Sequence, residues 1–464
     1  MSASTEKTAP AGQPPRPIDR QLVLLSATVL VGAIAALLDT TIVAVALDEL
    51  RREFDSSVIQ IQWVTTAYVL AMTAVIPAIG WTVGRFGART MWTAALAVFL
   101  VGSVLCGVAW SVESLIVFRV VQGIGGGMIL PLTQITLARA AGPDRLGRVL
   151  GVVGLVGQLA PVSGPVLGGV LIATWGWRWV FFVNIPLCLI TLVMTWRWFP
   201  PDGERSPQRL DVVGLILLPT GVVALIQALS SLEESTPSLS TWLSLAVGIV
   251  LLTVFVVRST RGSGAALLDL RLFTQRAFRS ATVMMFLLGI TTWGPMFLLP
   301  LYYQQLRGLS ALDTGLMLAP QSAGLALAYL LISRVTDRTA PRTLAVIGMS
   351  VATVGTIPFA LATEHTSTLL LGVALFTRGV GFGIASLPIS VALYKSLRPE
   401  AIPDATAASN VVARIGAATG TALMASVLAA GAGNADGGFG SALVWMLALT
   451  GVGLAASLYL PGKR

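Results

Sequence analysis

Apolar residues form long blocks along this chain, and short polar stretches separate them. A helix needs roughly 20 mostly apolar residues to cross the hydrocarbon core of a bilayer. The pattern therefore predicts an all-α membrane protein with about fourteen transmembrane helices. The predicted spans lie near 22–46, 61–83, 91–110, 114–137, 149–173, 179–198, 212–230, 240–257, 280–303, 314–333, 343–362, 368–390, 407–430 and 439–460.

Charge alternates between successive loops. Every second loop is rich in arginine, as in 139–148, 271–279 and 334–342, whereas the loops between them carry mainly Asp and Glu. Basic loops stay on the cytoplasmic side of a membrane. An even number of spans then puts both termini in the cytoplasm of a cell-membrane protein. The polar stretch 1–21 is predicted to be a disordered cytoplasmic tail.

The composition supports a bilayer environment. The 464 residues are 55% hydrophobic and 11% charged, with a mean hydropathy of +0.83, whereas soluble domains carry about 25% charged residues. The net charge of +9 follows from the basic loops and does not indicate nucleic acid. Cys106, Cys188 and His365 are the only cysteines and histidine, so no metal or haem site is expected.

The chain also repeats itself. The loop 80–89 after the second span and the loop 333–342 after the tenth both place arginines at matching positions. Internal repeats of this kind are typical of secondary transporters, with the substrate site between the repeats. We therefore divide the chain into an amino-terminal six-helix bundle (22–200), two inserted helices with a linker (201–279) and a carboxy-terminal six-helix bundle (280–464).

Asp39 interrupts the first apolar block, in the stretch LLDTTIVAVAL. An ionisable residue inside a membrane helix is expensive and usually functional. A proton-driven carrier needs a group that changes charge when its hydration changes, and a carboxylate does so. No other acidic residue lies deep inside a predicted span, so Asp39 is the leading candidate for a proton site. The alternative is that Asp39 lies near a helix end and faces water.

Eight stretches along the chain form a series of motifs: LDTTIVAVAL (38–47), GWTVGRFGAR (80–89), RVVQGIGGG (119–127), GQLAPVSGPVLGG (157–169), WRWVFFVNIP (177–186), LDVVG (210–214), LLDLRLFTQRAF (267–278) and SNVVARIGAATG (409–420). Together, and in this order over nearly the whole chain, they resemble the motifs of the fourteen-helix drug:proton antiporters of the major facilitator superfamily.

The resemblance implies two six-helix bundles with two helices inserted between them, and a monomer that exports hydrophobic or amphipathic compounds. It implies no cofactor, because the proton gradient would drive export. It also places Arg119 toward the central cavity as a partner for Asp39, with Arg378 as its second-half counterpart. The alternative for Arg119 is snorkelling to the interface, since it lies near the start of its span.

Two further motifs follow from the resemblance. The fifth-span segment is the antiporter motif, with Gly157, Gly164, Pro165, Gly168 and Gly169, where small residues let helices approach closely and proline bends the helix. The alternative role of this motif is ordinary helix packing with no bearing on transport direction.

The loop motif implies a cytoplasmic gate formed by Gly80, Arg85, Arg89, Asp337 and Arg338. The chain departs from the family at Gly84, where an acid is usual. The contacts that hold the cytoplasmic side closed are therefore expected to be weaker in the first half of the chain than in the second. The alternative is that Arg85 and Arg89 only set topology.

A substrate cavity should be mainly apolar with a few polar groups. The candidates share a polar or aromatic side chain inside a predicted span; they are Tyr68, Gln122, Gln158, Trp293, Phe297 and Gln321. Simple packing is the alternative role for each.

Other classes of cargo and protein stay open. The cargo could instead be a specific metabolite, siderophore or lipid. A membrane enzyme is less favoured, because no HExxH or GxSxG setting is present, and without a Walker GxxxxGK[ST] motif ATP is not the expected energy source. A channel is less favoured because repeated halves and one buried acid indicate a carrier.

Overall fold

The structure, a computed structural model, describes residues 19–142, 144–202, 211–231, 238–261, 267–395, 397–431, 433 and 438–462, and omits side chains at 58, 59, 158–162, 165, 311, 312 and 334. Of the predicted tail, only 19–21 fall within the described residues. Its disorder therefore stays a prediction.

The described chain is helical. Its helices are α1 (Arg20–Glu53), α2 (Val58–Val75), α3 (Ile79–Phe86), α4 (Ala88–Gly107), α5 (Val112–Ala141), α6 (Leu146–Trp175), α7 (Trp179–Phe182), α8 (Asn184–Trp198), α9 (Val212–Ser231), α10 (Leu239–Arg261), α11 (Arg276–Leu301), α12 (Ala311–Thr336), α13 (Pro341–Ala360), α14 (Thr368–Lys395), α15 (Ile402–Ala430) and α16 (Phe439–Ser457).

Within the described ranges, thirteen helical spans are long and apolar enough to cross a membrane, and α6 adds a further helix of 30 residues. The segments α2 and α3 form one span, since the short 3-10 turn Ile76–Ala78 joins them around Pro77, which has no amide hydrogen to donate. The segments α7 and α8 likewise form one span. The predicted all-α membrane fold is confirmed.

Helices α1 to α8 pack mainly on one another, as do α11 to α16, while α9 and α10 form a pair. Asp211 secures this pair, because its carboxylate accepts hydrogen bonds from the Gly214 amide at the start of α9 (2.9 Å) and from Arg258 on α10 (2.7 Å). Helix α9 also contacts α2 and α15, one helix from each half. The inserted pair therefore docks where the two halves meet.

The two halves contact each other through the ends of helices that carry the arginine-rich loops. Here α6 packs on α12 and α14, and α15 packs on α3 and α5. The Arg139 guanidinium at the end of α5 donates to the Pro399 carbonyl, 3.0 Å away, just before α15. This basic end of the molecule is therefore closed between the halves.

Candidate functional site

Asp39 lies near the middle of α1, roughly 20 Å along the axis from the nearer helix end, and its side chain has no solvent exposure. It is therefore not a helix-end residue that faces water. A buried carboxylate is tolerated only where charge and hydrogen bonds compensate for lost hydration.

Arg119 supplies the charge. Its Nη1 donates to Asp39 Oδ2 at 2.6 Å and to Gln122 Oε1 at 2.7 Å, while its Nε donates to the Val64 carbonyl on α2 at 3.1 Å. The side chain is 1% exposed. Arg119 therefore does not snorkel to an interface; it joins α1, α2 and α5.

Two neutral side-chain amides donate hydrogen bonds to the other carboxylate oxygen of Asp39. Gln122 Nε2 and Asn184 Nδ2 both donate to Asp39 Oδ1, at 2.8 and 2.9 Å, and Gln122 also donates to Ser103 Oγ at 2.9 Å. Sequence reasoning missed Asn184 and Ser103. The stretch WRWVFFVNIP, which ends just beyond Asn184, was a signal for the first, whereas a lone serine in an apolar span carries none.

Tyr68 completes the cluster, with its ring centroid 3.8 Å from the Arg119 guanidinium carbon. This cation–π contact stabilises a desolvated cation. Tyr68 and Gln122 were expected to line a substrate cavity, yet both lie fully buried beside the charge pair inside the amino-terminal half. A direct role for them in substrate binding stays a prediction.

Arg378 occupies the matching place in the other half, since both arginines lie on the fourth span of their halves. Arg378 donates to the Thr291 carbonyl on α11 at 2.5 Å and to Gln321 Oε1 on α12 at 2.6 Å, and its side chain is fully buried. Its Nε has no partner among the described residues. The amino-terminal half thus pairs its arginine with a carboxylate, and the carboxy-terminal half uses neutral oxygens.

A cavity of about 320 Å³ lies between the halves. Trp293 lines it, as expected, together with Gln134 and Asn410, whose amide groups hydrogen-bond across the halves at 2.9 Å. Phe297 instead packs against a hydrophobic cluster of the carboxy-terminal half, and Gln321 binds Arg378. The side chain of Gln158 lies outside the described residues.

The antiporter motif packs α6 against α1 immediately beyond Asp39. A Cβ added at Gly164 would lie 2.0 Å from Thr41 Oγ1, and one at Gly168 would lie 2.9 Å from Ile42 Cγ1. A Cβ at Gly157 or Gly169 would meet no described atom within 4 Å. Close approach therefore depends on Gly164 and Gly168. The side chain of Pro165 is outside the described residues.

The first loop motif is hydrogen-bonded to an acidic residue from another part of the chain. Asp202, after α8, accepts hydrogen bonds from the amides of Arg89 and Thr90 at 2.7 and 3.1 Å. It thus caps the start of α4. Gly87 has a φ of +92° and a Cβ there would lie 2.1 Å from the Asp202 carboxyl carbon, so glycine is required. Arg85 is exposed.

The second loop motif crosses between the halves. Asp337 accepts a hydrogen bond from the Gly147 amide at 2.7 Å and pairs with Arg148 Nε at 3.2 Å, both in the first turn of α6. A carboxylate at a helix start satisfies a free amide and complements the helix dipole. Arg338 is exposed. Asp337 therefore joins the two halves, and its role in a gate stays a prediction.

Comparisons with known proteins agree with this architecture. The family model described as Major Facilitator Superfamily matches residues 29–421. The chain is 36% identical over 434 residues to the multidrug resistance protein B homolog of Mycobacterium tuberculosis, covering 90% of this chain and 80% of that protein. It is 27% identical to the lincomycin resistance protein LmrB of Listeria monocytogenes, covering 98% and 99%.

The fold is also that of a solved transporter. The proton:xylose symporter XylE superposes with a TM-score of 0.65 at 14% identity and covers 95% of each chain. Helix order, two halves around a cavity and a family match over most of the chain lead to one conclusion: this chain belongs to the major facilitator superfamily, as a multi-pass membrane transporter and not an enzyme.

Proposed function

We propose that this transporter is a proton-coupled antiporter that exports hydrophobic or amphipathic compounds across the cell membrane, with both termini in the cytoplasm. Relatives whose names include multidrug resistance and lincomycin resistance support the class of cargo. The arginine-rich loops at one end of the bundle support the orientation.

The buried Asp39–Arg119 pair is the observation that carries the proposal. The carboxylate accepts from one cation and two neutral amides. Adding a proton removes its charge and the attraction to Arg119, while the guanidinium keeps its own charge. The protonated and deprotonated states therefore favour different arrangements of α1 against α5, as proton coupling requires.

Helix α6 supplies a route from this pair to the gate. Gly164 and Gly168 of α6 pack against Thr41 and Ile42 of α1, which follow Asp39 by two and three residues. The first turn of α6 holds Asp337 of the other half. A shift of α1 on protonation would therefore move α6 and change its contact with α12. In this way proton binding and opening at the basic end would be linked.

Asp39→Asn tests the proposal. Asparagine keeps the size and one oxygen acceptor but cannot exchange a proton. We expect gradient-driven transport in proteoliposomes, and substrate-driven proton release, to fall to the protein-free background. Ligand binding should persist. The control is Asp313→Asn, a change of the same kind at an exposed helix start. Wild-type proton release by folded Asp39→Asn protein would refute the assignment.

A further inference from the structure

The cavity between the halves has mainly apolar and aromatic walls with a few uncharged polar groups. Amides and hydroxyls of Gln134, Ser390, Ser409 and Asn410 supply the polar groups, beside rings such as Trp293 and Tyr394. None of the described lining residues is Asp, Glu, Lys or Arg. The walls can therefore hold an aromatic, hydrogen-bonding ligand, but they offer no carboxylate to balance a cation.

Fixed positive charge lies beside this cavity. The guanidinium of Arg378 donates to the Thr291 carbonyl, and the next residue, Thr292, lines the cavity. Arg378 is fully buried with one unpartnered N–H group, and no described acidic residue pairs with it. A guanidinium keeps its proton in proteins, so this charge is met by neutral oxygens and by the Phe382 ring, whose centroid lies 4.6 Å away, and by no described acid.

A second arginine is next in sequence to a residue that lines the cavity. Arg414 follows the lining residue Ala413 on α15 and donates to Thr73 Oγ1 on α2 at 3.4 Å. It likewise makes no salt bridge with a described acidic residue. The two described acids that are buried, Asp39 and Asp211, are already paired with Arg119 and Arg258. Arg378 and Arg414 thus bring positive charge near the cavity without a described acidic partner.

We infer that this cavity selects neutral or anionic amphipathic compounds and rejects organic cations. The inference rests on the proposed export function and narrows its substrate class. A cationic ligand would add repulsion to two guanidiniums in a poorly hydrated site, where Coulomb energies exceed those in water. An anionic group would instead supply the counter-charge that the protein lacks.

A matched ligand series tests the charge rule. One fluorescent aromatic ring system would carry a carboxylate, a methyl ester or a trimethylammonium group at the same position. Binding is measured to the full-length protein in nanodiscs. We expect the cation to bind at least roughly tenfold more weakly than the ester, which corresponds to about 1.4 kcal/mol. The carboxylate should bind at least as tightly as the ester.

Variants locate the cause. Arg378→Gln and Arg414→Gln should each reduce the discrimination, whereas Arg276→Gln, a change at an exposed arginine at the start of α11, should leave it intact. Asn410→Asp places a carboxylate on the wall and should improve cation binding; Asn410→Ser, its uncharged control, should not. The Asn410 pair keeps the test decisive if an arginine variant fails to fold.

Two results would overturn the inference: a cation that binds as tightly as the ester in the wild type, or discrimination that Asn410→Asp and both arginine variants leave unchanged. The proposed function fails separately. Charge-selective binding without proton-coupled transport would refute antiport and keep the charge rule. Proton-coupled export of cations would refute the charge rule and keep antiport.

Discussion

At the scale of single residues, the two halves stabilise a buried arginine in different ways. Arg119 and Arg378 are both buried on the fourth span of their half, but Arg119 faces a carboxylate and Arg378 faces a carbonyl and an amide oxygen. Only the first arrangement changes with protonation, because only it includes an acid. The proposed proton coupling therefore belongs to the amino-terminal half.

Arg119→Lys should retain only part of the transport activity and Arg119→Ala none. The guanidinium reaches Val64 through Nε and both Asp39 and Gln122 through Nη1, whereas lysine presents all its donors at one point. Removing the cation leaves a buried acid unpaired, a loss of about 3–5 kcal/mol unless it takes up a proton. Proton release on substrate addition measures the effect. Wild-type release by Arg119→Ala would show that Asp39 needs no cation.

At the scale of helices, glycines set how closely neighbours approach. Gly164→Leu should slow transport by roughly tenfold or more while ligand binding persists, because the side chain would overlap Thr41 and push α6 from α1. Gly169→Leu is the control, since no described atom lies within 4 Å of its Cβ position. Turnover in proteoliposomes measures both. Equal rates would remove close α1–α6 packing as the motif's purpose.

A second glycine pair lies on α3. A Cβ at Gly80 would lie 2.0 Å from Asp404 Oδ1 on α15, whereas one at Gly84, a turn later, would meet no described atom within 4 Å. Gly80→Ala should therefore separate α3 from α15 and favour an open basic end. Gly84→Ala should leave the distance unchanged.

Spin labels on Phe86→Cys and Glu400→Cys, both at exposed positions, report the distance between these two helices. The same distance distribution in Gly80→Ala and Gly84→Ala would refute the steric role of Gly80. Gly84, where the family usually has an acid, thus lies in open space, and Asp404 of the opposite helix occupies the neighbouring turn.

At the scale of the whole molecule, Asp337 tests what holds the halves together. Burial raises the pKa of its carboxyl, although the Gly147 amide and Arg148 act in the opposite direction. A raised pKa means that the closed arrangement binds the proton more tightly than a hydrated carboxyl does. Closure is therefore favoured below the ordinary pKa of about 3.9, and this contribution is lost as pH rises through the raised value.

The direction of this pKa shift predicts different behaviour for two variants of Asp337. Asp337→Asn keeps an oxygen for the Gly147 amide and removes the charge that burial disfavours, so the closed population should largely remain. Asp337→Ala leaves that amide without an acceptor, at a cost of about 1–3 kcal/mol, and should shift the population toward opening. Spin labels on Asp144→Cys and Arg342→Cys measure it. Opening by both variants alike would show that charge, not the hydrogen bond, holds the gate.

The fold class and the span positions, to within several residues at each end, could be predicted from the sequence, and so could Asp39 and Arg119 as charged residues inside spans. Apolar length is a local property, because each span must satisfy its own backbone hydrogen bonds in lipid. A lone acid or arginine in such a span is conspicuous for the same reason. Asp39 and Arg119 were therefore predictable, and their pairing was a reasonable expectation.

Which neutral residues surround this pair depends on how the helices pack. Asn184 reaches Asp39 because α8 packs beside α1, and Ser103 on α4 accepts hydrogen bonds from Asn184 and Gln122. Tyr68 and Gln122 turn toward the pair instead of the cavity. Neutral polar residues are frequent in membrane helices, so their sequence positions do not distinguish a charge partner from a cavity wall. That distinction depends on which helix faces are brought together, and packing between distant segments fixes it.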